Sequence, residues 1–477
     1  MRIPLLTILC LFQLLAGAQP AGLPWLRVSE NRRFLVTEAG TPFFWLGDTG
    51  WELFHKLNRD EADMYLANRA AKGFNVIQAV LVSEMNGLTD PNTEGQVPFH
   101  DLDATRPNEA YFRYVDELIE KAGKQGLYIA LLPTWGSWAV KEKHPLFPPR
   151  HFFTPENARQ YGIFLGKRYK HFSNIIWVLG GDRNPQGYEA TWEEMAKGLR
   201  IGDEDRHLMT YHPNGGWSSS VFWHQASWLD FNMIQTGHAS RFANSFAYVE
   251  KDYERQPPKP VLDAETNYED GAVSFHPSNG RFTDYDVRVS SYYSVFAGGF
   301  GISYGCNDIW QMHSGKNGVA YARNTWQSSL DLPGAFQMGH LRRLMESRPY
   351  LSRIPDQSVL LPDSNTLLPI ENRPGLHLQA TRDGVRGKKD ATFIMVYLPA
   401  GRSFRMRTEC LAASRLCGWW FNPRTGMARP AGTFDNTGTH QPVWNLLPWN
   451  EGEGPDWVYV VEVAAKNYPP PGSKLLQ

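Results

Sequence analysis

The sequence predicts an α/β fold, a (β/α)8 TIM barrel followed by a small antiparallel β-sandwich. Eight short apolar runs, each ending in polar or glycine residues, recur over residues 25–345 with helix-like stretches between several of them. Near-continuous hydrophobicity in such runs suits parallel strands covered on both faces. After about Pro349 the texture changes to short strand candidates separated by Gly, Pro and Asn, the pattern of an antiparallel β-domain.

In order, the runs are 43–46 before Gly47-Asp48, 76–82 before Ser83-Glu84, 127–132 before Pro133-Thr134-Trp135, and 175–179 before Gly180-Gly181-Asp182. They continue with 208–211 before His212, 231–235 before Thr236-Gly237-His238, 260–263 before Ala264-Glu265, and 301–304 before Gly305-Cys306-Asn307-Asp308. Between them, 59–72 places Ala62, Tyr65, Leu66, Arg69 and Ala70 at helical spacing and closes on Gly73. Residues 108–124 have Asn108 as cap, with Tyr111, Val115, Leu118 and Ile119 on one face. Thr154-Pro155 reads as an N-cap followed by proline at the first helical position. Residues before Phe34 are expected to add strands to the barrel or the sandwich. The tail strands fall at 377–381, 392–398, 419–421 and 457–463, and the Trp419-Trp420-Phe421 run must turn at least one indole inward. The domains are read as 1–18, a signal peptide; 19–348, the barrel; and 349–477, the sandwich.

The signal peptide rests on Arg2, an apolar run to Leu15 and the small residues Ala16-Gly17-Ala18. It predicts a secreted or periplasmic protein, and the run is shorter than the ~20 residues of a membrane anchor. Among 477 residues, 48 Lys+Arg balance 49 Asp+Glu, which argues against a nucleic-acid partner or an anionic membrane surface. Aromatic residues make up 13%, enough to fill a core and line a sugar-facing cleft. Removing Cys10 leaves three cysteines; Cys410 and Cys417 are close enough in sequence to pair, leaving Cys306 free.

Chemistry in a TIM barrel sits at the C-terminal ends of the strands. The residues ending these runs are Asp48, Glu84, Trp135, Asp182, Tyr211, His212, His238, Glu265, Asn307 and Asp308. Glycosidic cleavage needs two carboxyl groups, one protonated to donate to the leaving oxygen and one ionised as nucleophile or base. Asp182 ends the fourth run and Glu265 the seventh, and this pair is the predicted catalytic machinery. Asp48 is a candidate for binding a sugar hydroxyl or for capping its loop, and Trp51 and Trp135 for lining subsites or filling the barrel top. His212 and His238 are candidates for touching substrate, tuning the acids or serving as structural histidines. Arg183 and Asn184 either read an anionic sugar such as galacturonate or fix the loop; Tyr211 and Asn307 complete the substrate-binding candidates. Gly301-Ile302-Ser303-Tyr304-Gly305 matches the serine-hydrolase elbow but occupies the eighth run without a clear following helix. The sequence shows no zinc-protease, P-loop or dinucleotide motif, so neither metal nor cofactor is expected.

Trp45-Leu46-Gly47-Asp48-Thr49-Gly50-Trp51, Gly73-Phe74-Asn75-Val76-Ile77-Gln78 and Trp177-Val178-Leu179-Gly180-Gly181-Asp182-Arg183-Asn184 resemble the apiosidase-like glycoside hydrolases, family 140. Trp420-Phe421-Asn422-Pro423-Arg424-Thr425-Gly426 resembles that family's C-terminal β-domain, a type named for collagen binding, although nothing in the sequence supplies a collagen chemistry. The resemblance covers nearly all of the mature chain. It implies removal of the branched pentose apiose from pectic oligosaccharides or polysaccharides, with Asp182 as acid/base and Glu265 as nucleophile, retention being favoured. One departure stands out: the wider clan ends its fourth strand in Asn-Glu, this chain in Gly-Asp, and the shorter acid widens the carboxyl gap. Hydrolysis of another glycoside, such as an arabinofuranoside, and a non-catalytic carbohydrate-binding protein are the alternatives. The sequence does not determine the oligomeric state.

Overall fold

The computed structural model describes residues 22–141, 151–241, 244–362, 368–370, 373–401, 403–443 and 454–475. The signal-peptide reading of residues 1–18 lies outside them. The barrel strands are β1 (Trp45–Thr49), β2 (Val76–Val80), β3 (Tyr128–Leu132), β4 (Ile175–Gly180), β5 (Met209–His212), β6 (Asn232–Gln235), β7 (Val261–Glu265) and β8 (Gly301–Tyr304). Neighbours run parallel from β1 through β5, and from β6 through β8 back to β1. The β5–β6 seam carries no ladder. It is bridged by the Asp230 N–H to the Met209 carbonyl at 2.9 Å and the Thr210 hydroxyl to the Phe231 carbonyl at 2.7 Å. Every residue of these strands is buried, as expected for a sheet with side chains on the inside and helices outside.

The helices that follow are α1 (Arg59–Ala71), α2 (Glu109–Lys124), α3 (Pro155–Tyr169), α4 (Glu189–Asp203), α5 (Ser220–Trp223), α6 (Ser245–Tyr253), α7 (Asp284–Phe296) and α8 (Pro333–Glu346). Local chemistry fixes their starts. Asn58 and Glu61 form a capping box on α1, the Asn108 side chain accepts from the Ala110 N–H, and Thr154 and Asn157 form a capping box on α3.

Residues before β1 join neither barrel nor sandwich. Leu26–Val28, Leu35–Thr37 and Pro42–Phe43 form a separate three-stranded antiparallel sheet. It packs under the barrel's N-terminal end, where the Tyr128 hydroxyl donates to the Pro24 carbonyl and Phe43 meets the Tyr128 ring edge-on. These strands alternate too little to mark a face, so their destination is a tertiary matter.

The tail's main sheet comprises β9 (Ile354–Pro355), β10 (Gln379–Arg382), β11 (Phe393–Leu398), β12 (Arg415–Phe421), β13 (Ala428–Asp435) and β14 (Trp457–Val463), in the order β9-β10-β11-β14-β12-β13. Its pairs are antiparallel, and Met406–Arg407 pairs with Thr439–His440 in a separate short antiparallel ladder, from which Met406 joins the domain's own core. Strand periodicity divides its side chains between two cores. Phe393, Met395 and Tyr397 join the barrel's core, whereas Ile394, Val396 and Leu398 join the domain's own. Trp420 is buried in that second core against Trp457 and Tyr459, and half-buried Trp419 packs toward the barrel with its indole N–H on Glu462. Buried ion pairs lock the domains together, Arg288 with both oxygens of Asp456 at 2.9 Å and Arg348 with Glu462 at 2.7 Å. Cys410 and Cys417 are not bonded: both are free, as is buried Cys306.

Candidate active site

Strand β4 ends in an unusual turn. Gly180, Gly181 and Asp182 all have positive φ, 84°, 103° and 57°. A Cβ on Gly180 would lie 2.3 Å from the His212 carbonyl oxygen, so only glycine fits there. The Gly181 carbonyl accepts from the Gly136 N–H at 3.0 Å, and the turn delivers Asp182, a residue that tolerates this conformation, into a cavity of about 930 Å3.

Glu265 reaches the same cavity by a different local device. Asp263 and Glu265, two residues apart, would share a face of a regular strand. Opposite the step from Ile234 to Gln235 the register slips, pairing Ile234 with Asp263 but Gln235 with Glu265. Asp263 consequently faces α7, accepting from the Ser294 hydroxyl at 2.7 Å, while Glu265 turns into the lumen.

Two imidazoles hold Glu265. His238 Nε2 lies 3.0 Å from Oε1 and His212 Nε2 lies 3.1 Å from Oε2. Burial raises the carboxyl's pKa, but the hydrogen bonds and charge of His212 and His238 outweigh it and hold Glu265 down at about 2. Asp182 is shifted the other way. Burial pushes its carboxyl up, and the Glu265 charge adds to this against the opposing Arg183 guanidinium and His212. One carboxyl is thus poised to carry a proton while its partner stays ionised, the division of labour that glycosidic cleavage requires.

Of the other predicted residues, Trp51, Trp135, Arg183, His238 and Asn307 line the cavity. Trp51 meets Trp135 and His212 edge-on, at 5.2 and 5.4 Å between ring centroids. Arg183 is not a free reader of anionic sugars: its guanidinium bonds the Asp182 carbonyl at 2.6 Å and stands 3.3 Å from that carboxylate and 3.5 Å from Glu84. Asn307 donates to the Ala320 carbonyl at 3.1 Å. Asn184 and Tyr211 lie behind the wall, where Asn184 accepts from the Asn214 N–H and the Tyr211 hydroxyl donates to the Arg183 carbonyl. Asp48 lies outside the cavity altogether. Trp45, Gly47 and Thr49 face the lumen, so Asp48 faces α1, where it accepts from Tyr65 at 2.5 Å and Arg69 at 2.7 Å. Ser303 is no hydrolase nucleophile: it is buried, accepts from the Trp45 indole and donates to Gln78.

The structure adds Glu84, Gln235, Tyr268 and Trp310 to the lining. Burial raises Glu84 to about 8, with the Arg183 charge opposing and the Asp182 charge reinforcing. Glu84 and Gln235 carry the strand-end signal, a polar residue closing an apolar run; Tyr268 sits in the loop after β7 and Trp310 ends the short helix Asn307–Trp310 after β8, and no local pattern specifies the path of either segment. Among the described residues no group of three or more His, Cys, Asp or Glu is arranged to hold a metal, and no helix is long and apolar enough to cross a membrane.

The family described as "Apiosidase-like, catalytic domain" matches residues 29–352. The chain belongs to this apiosidase-like family. A second description, "Putative collagen-binding domain of a collagenase", matches residues 354–462. A solved structure titled "Glycoside hydrolase" is 34% identical, with a TM-score of 0.82 over 94% of this chain and 99% of the other. A glycoside hydrolase family 5 protein from Bacteroides vulgatus ATCC 8482 is 32% identical, with a TM-score of 0.83 over 95% and 97%. A comparison with curated proteins finds no match. The apiosidase-like chain is a glycoside hydrolase, and its substrate is a carbohydrate.

Proposed function

We propose that this apiosidase-like hydrolase is exported and releases apiose from pectic side chains with retention of anomeric configuration. The family description points to apiose, and the N-terminal apolar run with its small-residue site supports export. The observation that carries the chemistry is the opposite polarisation of Asp182 and Glu265 in one cavity.

In the first step a Glu265 oxygen attacks the anomeric carbon as the glycosidic C–O bond breaks, and Asp182 gives its proton to the departing oxygen. In the second, the Asp182 carboxylate takes a proton from water. The water oxygen attacks the anomeric carbon, and Glu265 leaves as the anion. His212 and His238 serve both steps, because a strongly held carboxylate is ionised when it must attack and a good leaving group when it must depart. Stacked edge-on, Trp51 and Trp135 give the sugar an apolar wall.

The test is incubation with pectic oligosaccharides carrying both apiosyl and arabinofuranosyl branches, following released sugars by proton NMR from the earliest time points. Free apiose in its starting anomeric form is expected. Arabinose alone would overturn the substrate, and an inverted anomer would overturn the covalent route.

A further inference from the structure

The catalytic carboxyls lie deep in the cavity, and two aromatic rings stand at its mouth with no core to belong to. Phe275, in the loop after β7, is 49% exposed, and Tyr321, in the loop after β8, is 54% exposed. Each follows a residue of the same unusual conformation: Ser274 and Phe275 have φ of 56° and 58°, Ala320 and Tyr321 of 49° and 59°. Bulky side chains rarely adopt this left-handed region, and strain of this kind persists where surrounding contacts impose it.

Those contacts come from the site itself. The Ser274 N–H donates to the His238 carbonyl at 2.8 Å, and the Phe275 ring meets the His238 imidazole edge-on, centroids 5.8 Å apart. Asn307 holds the Ala320 carbonyl at 3.1 Å, and Arg281 donates to the Tyr321 carbonyl at 2.7 Å. Arg281 comes from the loop after β7, so it ties the two aromatic loops together. A cavity of about 930 Å3 is at the upper end of the ~300–1,000 Å3 range for small-ligand sites, more room than one pentose fills.

We propose that Phe275 and Tyr321 form a second sugar-binding position at the cavity mouth, which stacks on the sugar beyond the cleaved bond. A terminal sugar entering the deep end leaves the rest of its chain at the mouth, where exposed rings offer flat apolar faces to a sugar ring. This rests on the cavity being the site of glycoside cleavage, and not on which sugar is released.

The test compares wild type with Phe275→Ala, Tyr321→Ala, the double variant and the conservative Phe275→Tyr. Two substrates are used, a pectic oligosaccharide and the fluoride of the sugar released from it, which has no second ring. KM for the oligosaccharide should rise about tenfold in each alanine variant, with Phe275→Tyr restoring it and the fluoride kinetics unchanged. Equal effects on both substrates, or none on either, would overturn the proposal. Should wild type release nothing from pectin, the substrate reading fails alone. The rim is then read by affinity electrophoresis of Glu265→Gln in gels containing rhamnogalacturonan, xyloglucan or galactomannan. Retardation that the double rim substitution abolishes supports the proposal; no polysaccharide distinguishing the two proteins overturns it.

Discussion

His212 Nε2 stands 3.1 Å from the Glu265 carboxylate while its Nδ1 faces the backbone N–H of Asp182 at 3.4 Å. With Nδ1 accepting from the Asp182 N–H, Nε2 is the ring nitrogen left facing Glu265. One side chain at the end of β5 therefore fixes the turn that presents the acid and stabilises the charge of its partner.

Asp182→Asn removes the proton donor, and Glu265→Gln removes the anion. Each is expected to lower kcat/KM on the natural substrate by at least about 10²–10⁴-fold, with little change in Tm. A fluoride or nitrophenyl leaving group should spare the first step in Asp182→Asn and give no relief in Glu265→Gln. Steady-state kinetics on both substrate types checks this, and equal losses on both in the two variants would remove Asp182 from the acid role.

His238→Asn should raise the pKa of Glu265. The acid limb of the kcat/KM profile reports ionisation of Glu265, held at about 2 first against burial and then by His212 and His238. Loss of one imidazole should move that limb upward by about 1–2 pH units. The alkaline limb, where Asp182 loses its proton, should stay in place; movement of both limbs would mean that the two histidines act elsewhere.

Glu84 makes stability fall as pH rises. Burial lifts its carboxyl from 4.5 to about 8, so between those values the folded chain holds a proton that the unfolded chain has lost. Its contribution is complete below 4.5 and disappears as pH climbs through 8. Calorimetric Tm from about pH 5 to pH 8 should decline less steeply in Glu84→Gln than in wild type. Parallel curves would place the ionisation elsewhere.

Arg69 and Asp48 form a fully buried pair between β1 and α1. Removing one partner strands the other's charge, so Arg69→Met should cost about 3–5 kcal/mol in denaturant unfolding. The kcat of the folded fraction should be unchanged, because the pair lies outside the cavity. A fall in kcat at constant stability would restore Asp48 to the substrate-binding set.

The eight strand runs and the helix starts at Asn108 and Thr154 were legible because hydrophobic length and capping chemistry are local. So was the pairing of Asp182 with Glu265, since strand order alone puts the ends of the fourth and seventh strands on one rim. Which strand-end side chains enter the cavity was decided only by the tertiary structure. Barrel strands are apolar on both faces, so no alternation in the sequence says whether Asp48 looks toward the lumen or toward α1. The register slip that turns Glu265 inward and leaves Asp263 against α7 depends on the neighbouring strand, and the path that brings Phe275 to the mouth depends on His238. Periodicity is written along one chain, whereas facing and register arise between strands, and a sequence read alone contains only the first.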